Sequence, residues 1–292
     1  MKIIQGLKNV PKSTIIQDIM VKDVAYATLP GSRDEVLNIL KDKKISGVPI
    51  LKGGKVTGVV SRTDLLKNPE EEQIAMLMTR DPVTVSPDAN IVDAAKLLLE
   101  NNIRRLPVVT DGNLAGMVTI ADIIASIADL DITEQIGPYL DDGVVAVWSE
   151  TPLPLVARIM ELSHKKAVPI LDSDLELVGI ISELDVINAS IIEDSVEMSD
   201  MSAGSDDDEW TWESMRDTMS IYYSVSRIKV PDIVVKDIMI KEPITASYIS
   251  EVSDCALKMK RARIDQMPVV NANQKLLGIL KDRDLLKVLV KH

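Results

Sequence analysis

One pattern occurs four times along this chain: an apolar strand containing proline, a turn, a second strand entered through glycine, and an aspartate six residues after that glycine. The copies read Gly47-Val-Pro49-Ile to Gly58-Val-Val-Ser61-Arg-Thr-Asp64, Arg105-Leu-Pro107-Val to Gly116-Met-Val-Thr119-Ile-Ala-Asp122, Ala167-Val-Pro169-Ile to Gly179-Ile-Ile-Ser182-Glu-Leu-Asp185, and Gln266-Met-Pro268-Val to Gly278-Ile-Leu-Lys281-Asp-Arg-Asp284. Proline and aspartate are 15, 15, 16 and 16 residues apart. The prolines follow one another at intervals of 58, 62 and 99 residues, so the unit is about 60 residues with one insertion of about 40. Any fold for this chain must be built from four such units.

A second register lies upstream. Met20, Met78 and Met239 each precede their proline by 29 residues, and Thr28, Ser86 and Ser247 follow those methionines by eight. The third copy has Gly137-Pro138-Tyr139 in place of the methionine. After each hydroxyl the apolar period is helical: Ser32-Arg-Asp-Glu35 is a capping box ahead of Val36, Leu37, Ile39 and Leu40, and Pro87-Asp-Ala leads into Ile91, Val92, Ala95 and Leu98. Two short strands then flank a turn, and a last helix begins at the Ser/Thr-x-x-Asp. The predicted unit is strand, helix, strand, strand, helix, an α/β (α+β) arrangement. Such a unit has too small a core to stand alone, which predicts pairing between neighbours.

Charge narrows the partners. The net charge is −12, which argues against a phosphate-backbone partner held by clustered Lys and Arg. Residues 190–220 hold ten acids and one base, −9, leaving −3 for everything else. There is no phenylalanine, so stacking platforms for single-stranded nucleic acid are scarce. One cysteine, Cys255, excludes an intramolecular disulfide framework and fits a reducing compartment. The opening Met1-Lys-Ile-Ile-Gln-Gly-Leu-Lys is too short an apolar stretch for a signal peptide, and no run of 18 apolar residues occurs. The expectation is a cytoplasmic protein without a membrane segment.

The four copies in register resemble tandem CBS domains, the modules named after cystathionine beta-synthase. The resemblance covers the chain apart from the acidic insert, with copies expected at 10–68, 69–128, 129–192 and 230–292 and the insert at 193–229. It implies pairing of the first copy with the second and the third with the fourth, as two Bateman modules, similar to the gamma subunit of AMP-activated protein kinase. It also implies that adenosine compounds bind in the clefts between partners. In the family the aspartate holds the ribose, which carries over to Asp64, Asp122, Asp185 and Asp284. A carboxylate has two acceptors for the two donors of a ribose diol. A helix start with unpaired N–H groups suits phosphate, pointing to Ser61, Thr119 and Ser182. The same residues also satisfy a plain capping box. In the fourth copy Lys281 replaces the hydroxyl, so it cannot cap; its ammonium could serve a phosphate instead.

Cations for phosphate are expected at Arg104 and Arg105, which match in charge a His-Arg pair of the kinase gamma subunit, and at Lys166. Thr28, Ser86 and Ser247 would line the nucleotide pocket, or be turn hydroxyls. Ile45, Gly47, Val48 and Ile103 would frame the adenine. The first module carries the most favourable charge for a phosphorylated ligand and the fourth copy the least.

No catalytic or metal site is expected. The only histidines are His164 and His292, no Cys/His spacing suits a metal, and Asp206-Asp-Asp-Glu209 lacks the alternation and central glycine of a calcium loop. Ser199 to Asp208 reads as a solvated linker. Beyond it, Trp210, Trp212, Met215, Met219, Tyr222 and Tyr223 form a cluster that packs on a repeat, closes a cleft or docks a partner. The functional expectation is a non-enzymatic sensor of AMP, ADP or ATP, with no required cofactor and a protein effector in trans. S-adenosylmethionine is the alternative ligand, and a scaffold docking through the aromatic insert the alternative role. A disc within one chain and a homodimer both remain open.

Overall fold

A computed structural model describes residues 14–68, 71–140, 143–200 and 220–291. In the first copy, helix α1 (Ile16–Ile19) and strand β1 (Ala27–Thr28) lead to helix α2 (Arg33–Asp42), strands β2 (Gly47–Lys52) and β3 (Lys55–Ser61), and helix α3 (Arg62–Lys67). The second copy runs α4 (Ile74–Leu77), β4 (Thr79–Arg80), α5 (Ile91–Glu100), β5 (Arg105–Thr110), β6 (Asn113–Thr119) and α6 (Ile120–Ala128). Its first strand is reduced to one parallel bridge, Val85 with Val108. The third copy comprises β7 (Val147–Trp148), α7 (Leu153–Ser163), β8 (Ala167–Leu171), β9 (Leu177–Ser182) and α8 (Glu183–Ala189). After it come β10 (Ile191–Asp200), β11 (Ser220–Lys229) and β12 (Ile240–Lys241). The fourth copy is β13 (Ala246–Ser247), α9 (Val252–Ala262), β14 (Gln266–Val270), β15 (Leu276–Lys281) and α10 (Asp282–Val290).

Every hairpin uses the same register. Pro49, Pro107, Pro169 and Pro268 sit opposite Val59, Met117, Ile180 and Ile279, the residue after the repeat glycine, and each first strand slips register two residues later. The turns explain the two proline-to-aspartate spacings. Gly53-Gly54 and Asp111-Gly112 make two-residue turns with both residues at positive φ, the geometry that continues a twisted hairpin. The third and fourth copies carry one residue more, in a loop organised by a side chain. Asp172 Oδ1 accepts from the amides of Asp174 and Glu176, and Asn271 Oδ1 from those of Asn273 and Lys275.

The methionine and glycine registers are two halves of one contact. A Cβ on Gly116 would lie 2.6 Å from the sulfur of Met20, one on Gly58 2.5 Å from that of Met78, and one on Gly179 2.4 Å from that of Met239. The methionine leading into the first copy thus seats on the second copy's glycine, and the second copy's methionine seats on the first copy's glycine. Backbone bonds follow the same exchange: β4 pairs with β3, Val21 bridges Met117, and β12 pairs with β9. Lys55 opposite Asn113 joins the hairpins of the first two copies into one sheet.

The chain divides into two compact units, Val145–Pro243 and the remainder. Within the larger unit the second and fourth copies meet through helices, α9 against α6 and α10 against α5 and α6. Their core is continuous, running from Ile91, Leu98, Ile123 and Ile127 to Val252, Met259, Leu285 and Leu289, all buried. Cys255 is buried there, and burial pushes its thiol up to about 11, away from reactivity. The first copy has its own core around Val36, Leu40, Val48, Ile50 and Val60, and the smaller unit one around Val156, Met160, Val168 and Ile181.

The insert departs from expectation. Residues Ile191–Asp200 and Ser220–Lys229 form an antiparallel pair from Ile191 opposite Lys229 to Asp200 opposite Ser220, so Ser199 and Asp200 belong to a strand rather than a linker. Residues 201–219, with the acidic run and both tryptophans, lie outside the described residues. Among the described residues no helix is long and apolar enough to cross a membrane.

Candidate functional site

A cleft of about 710 Å³ opens between the first and second copies. The segment before β1 contributes Val21, Asp23, Val24 and Ala25, the end of α2 and start of β2 contribute Lys43, Lys44, Ile45, Ser46 and Gly47, and α3 contributes Arg62. From the second copy come Arg104, Arg105, Met117, Thr119, Ile120 and Ala121. Five bases therefore face one carboxylate, Asp23, in a chain that is strongly acidic overall. Val21, Val24, Ile45, Met117 and Ile120 add apolar lining to these charges.

Thr119 opens α6. Its amide and hydroxyl both donate to Asp122 Oδ2, at 2.8 and 2.6 Å. Ser61 with Asp64 and Ser182 with Asp185 repeat that geometry at the same distances. The hydroxyl is thus turned onto the aspartate, the capping-box geometry that the sequence also allows. Among the described residues nothing bonds the Oδ1 of these three carboxylates, so each keeps one acceptor oxygen.

The two arginines differ. Arg105 lies across Gly47, where a Cβ would collide with its guanidinium, and donates to Ser46 Oγ at 2.6 Å. Burial first and then the adjacent Arg104 lower its pKa, with Asp64 acting the other way and Arg62 lowering it further. Arg104 is engaged elsewhere: its Nη2 lies 2.6 Å from Asp282 Oδ2 and 3.6 Å from Asp265 Oδ2, both in the fourth copy. Asp282 is buried, and desolvation raises its pKa against the opposing effect of Arg104.

The other expected positions fall outside this cleft. Asp284 is buried and its Oδ1 accepts from Lys287 Nζ at 2.7 Å while Oδ2 takes the Lys281 amide at 3.1 Å, so both oxygens are occupied. Val48 is fully buried in the first copy's core and Ile103 packs on the second's, because alternate residues of a strand face opposite sides. Thr28, Ser86 and Ser247 are exposed; the Ser86 hydroxyl accepts from the Asp88 amide and the Ser247 amide donates to Ser250, which is turn chemistry. Lys166 is exposed in the smaller unit, its carbonyl accepting from Glu183 at 2.9 Å.

Val24, Ala25, Lys43 and Lys44 escaped the sequence reading because their residue types do not recur from copy to copy, and Asp23 and Arg62 because they sit between the motif positions that do. The doublet Lys43-Lys44 just before a proline strand, and a base inside Ser61-Arg-Thr-Asp64, were the available signals. Among the described residues no group of three or more His, Cys, Asp or Glu could hold a metal.

The family model for the CBS domain matches residues 16–71, 73–129, 136–192 and 235–291. An uncharacterized conserved protein from Pyrococcus horikoshii has a similar structure, with a TM-score of 0.68 and 28% identity over 95% of this chain and 100% of that one. MJ1225 of Methanocaldococcus jannaschii, described as a proposed archaeal homologue of g-AMPK, gives a TM-score of 0.65 at 21% identity, covering 94% of this chain and 99% of its own. In sequence MJ1225 is 26% identical over 191 residues, 59% of this chain and 68% of the relative. MJ1426 of the same organism is 32% identical over 153 residues, 39% of this chain and 90% of the relative.

Proposed function

This chain belongs to the CBS domain family, and on that premise we propose that the cleft between its first two copies binds an adenosine phosphate, AMP, ADP or ATP, as a regulatory ligand. One observation carries the reading: five bases against one acid in a cleft of nucleotide size. Val24, Ile45 and Ile120 in the lining suit a base and Arg105 with Lys43, Lys44 and Arg62 the phosphates, while Asp122, next to the lining residue Ala121, keeps Oδ1 for a ribose hydroxyl. Asp64, close enough to Arg105 to influence it, is the counterpart for the other half of the cleft. S-adenosylmethionine, with its sulfonium and ammonium, is disfavoured by the same charge.

The ligand acts by differential affinity for two arrangements of the copies, with the response delivered to a protein effector in trans. The protein performs no chemistry on it and works in the cytoplasm. Calorimetry with adenosine, AMP, ADP, ATP and S-adenosylmethionine tests the proposal. Affinity rises with phosphate number and S-adenosylmethionine binds weakest; absence of binding below millimolar for all three nucleotides refutes it.

A further inference from the structure

We infer that Asp282 is a resident anion competing with the ligand's phosphate for Arg104, so that filling the cleft loosens the contact between the second and fourth copies. The inference rests on the phosphate reading of the cleft and adds its regulation. Arg104 lines the cleft on one side and on the other makes a two-pronged contact with Asp282, Nη2 to Oδ2 at 2.6 Å and Nη1 to Oδ1 at 3.4 Å. Both of those hydrogen bonds go to the first residue of α10, which packs on α5 and α6, and the longer contact, 3.6 Å to Asp265 Oδ2, is also with the fourth copy.

The two ends of the pair are unequal. Arg104 keeps 44% of its side chain exposed, while Asp282 keeps 6%. An arginine so exposed can turn toward a new anion at little cost. A carboxylate so buried cannot follow, and once abandoned it is a desolvated charge held chiefly by the Arg283 amide at 2.7 Å. Arg283 itself is spent on the neighbouring contact, donating to the Leu99 carbonyl at 2.8 Å at the end of α5. A phosphate in the cleft that draws Arg104 away thus taxes the start of α10. By linkage, whatever tightens the second copy on the fourth weakens phosphate binding by the same factor.

Asp282→Asn removes the competing charge while keeping the shape. Calorimetry on the full chain should show AMP and ADP binding about tenfold tighter to Asp282→Asn, with adenosine unchanged. The gain should vanish when Arg104→Ala is added, so that the double variant binds like Arg104→Ala alone. A second measurement needs no variant: in the wild type, ADP should speed hydrogen exchange of the first-turn amides of α10, Arg283 above all. Nucleotide binding that Asp282→Asn leaves unchanged or weakens, or exchange at α10 that ADP leaves unchanged, overturns the inference while the phosphate reading stands. Failure of the wild type to bind any nucleotide overturns both.

Discussion

The second copy meets neighbours on two sides, and the two contacts are built differently. Toward the first copy it offers its sheet, fastened at points by methionine on glycine and by backbone links such as Lys55 opposite Asn113 and the Val56 amide on the Gly112 carbonyl, with a cationic cleft between. Toward the fourth it offers its helices, sealed by a continuous apolar core and tied by buried polar bonds. Ser253 of α9 donates to the Ile127 carbonyl at the end of α6 and accepts from the Ile132 amide, both at 2.7 Å. Lys260 reaches Asp129 at 3.1 Å just past the same helix end, where a cation suits the dipole. The aspartate of the repeat differs too: Asp122 is half-buried with Oδ2 on Thr119, whereas Asp284 is buried against Lys287. One repeat position is therefore left half-buried or buried according to what its neighbour covers.

Arg105→Ala should separate the two contacts most strongly. Loss of a charged donor costs about 1.5–3 kcal/mol, or roughly 10- to 100-fold in ADP affinity by calorimetry, with the melting temperature nearly unchanged. A fall in melting temperature without loss of affinity would break the comparison. Gly116→Val forces bulk onto the Met20 sulfur and onto the Val21 carbonyl, 2.9 Å from the built Cβ. Urea denaturation should show about 1–3 kcal/mol lost, the usual cost of overpacking. Met20→Ala should rescue this only in part, because the carbonyl remains. The same substitution at Gly58 meets Met78 side-chain atoms alone among its nearest neighbours, so Met78→Ala should rescue it more fully.

On the sealed side, Ser253→Ala leaves the Ile132 amide without its partner and should cost about 1–3 kcal/mol in the same denaturation, with ADP affinity untouched. The smallest effect is a pH slope. Because the folded-state pKa of Asp282 is raised, the unfolded chain gives up this proton first as pH rises. Stability should therefore decline from the ordinary aspartate pKa up to the raised one and then level off. Melting curves of wild type and Asp282→Asn across that window should differ by this decline; parallel curves would show that Asp282 titrates normally.

Much of this was legible in sequence. The spacing of proline, glycine and aspartate predicts the units, and the one-residue difference in spacing reappears as the longer turn beginning at Asp172 and Asn271. The methionine register was visible too, but not its partner, since Met20 and Gly116 belong to different copies and periodicity compares a copy only with itself. Helix faces conceal a similar ambiguity. Val252, Cys255, Ala256 and Met259 read as one apolar stripe whether they cover their own sheet or a neighbour, and Ser253 reads as solvent-facing until a second helix closes over it. The cleft was half legible: Arg104 and Arg105 stood out as a pair, whereas Lys43, Lys44 and Arg62 acquire meaning only once two copies face each other. Nothing in the motif could show that Arg104 is shared with Asp282, 178 residues away.

The exchange of methionine and glycine also sets an order of assembly on an emerging polypeptide. Met78 finds Gly58 behind it, only 20 residues back, so that half of the fastening can close once the lead-in to the second copy is made. Met20 must wait for Gly116, 96 residues ahead, and until then the first copy holds an uncovered thioether at its entrance. Met239 waits for nothing, because Gly179 has already been made 60 residues earlier. The first copy is therefore finished by the second, and a chain interrupted between them would be left with its opening segment unmoored rather than with a smaller working domain.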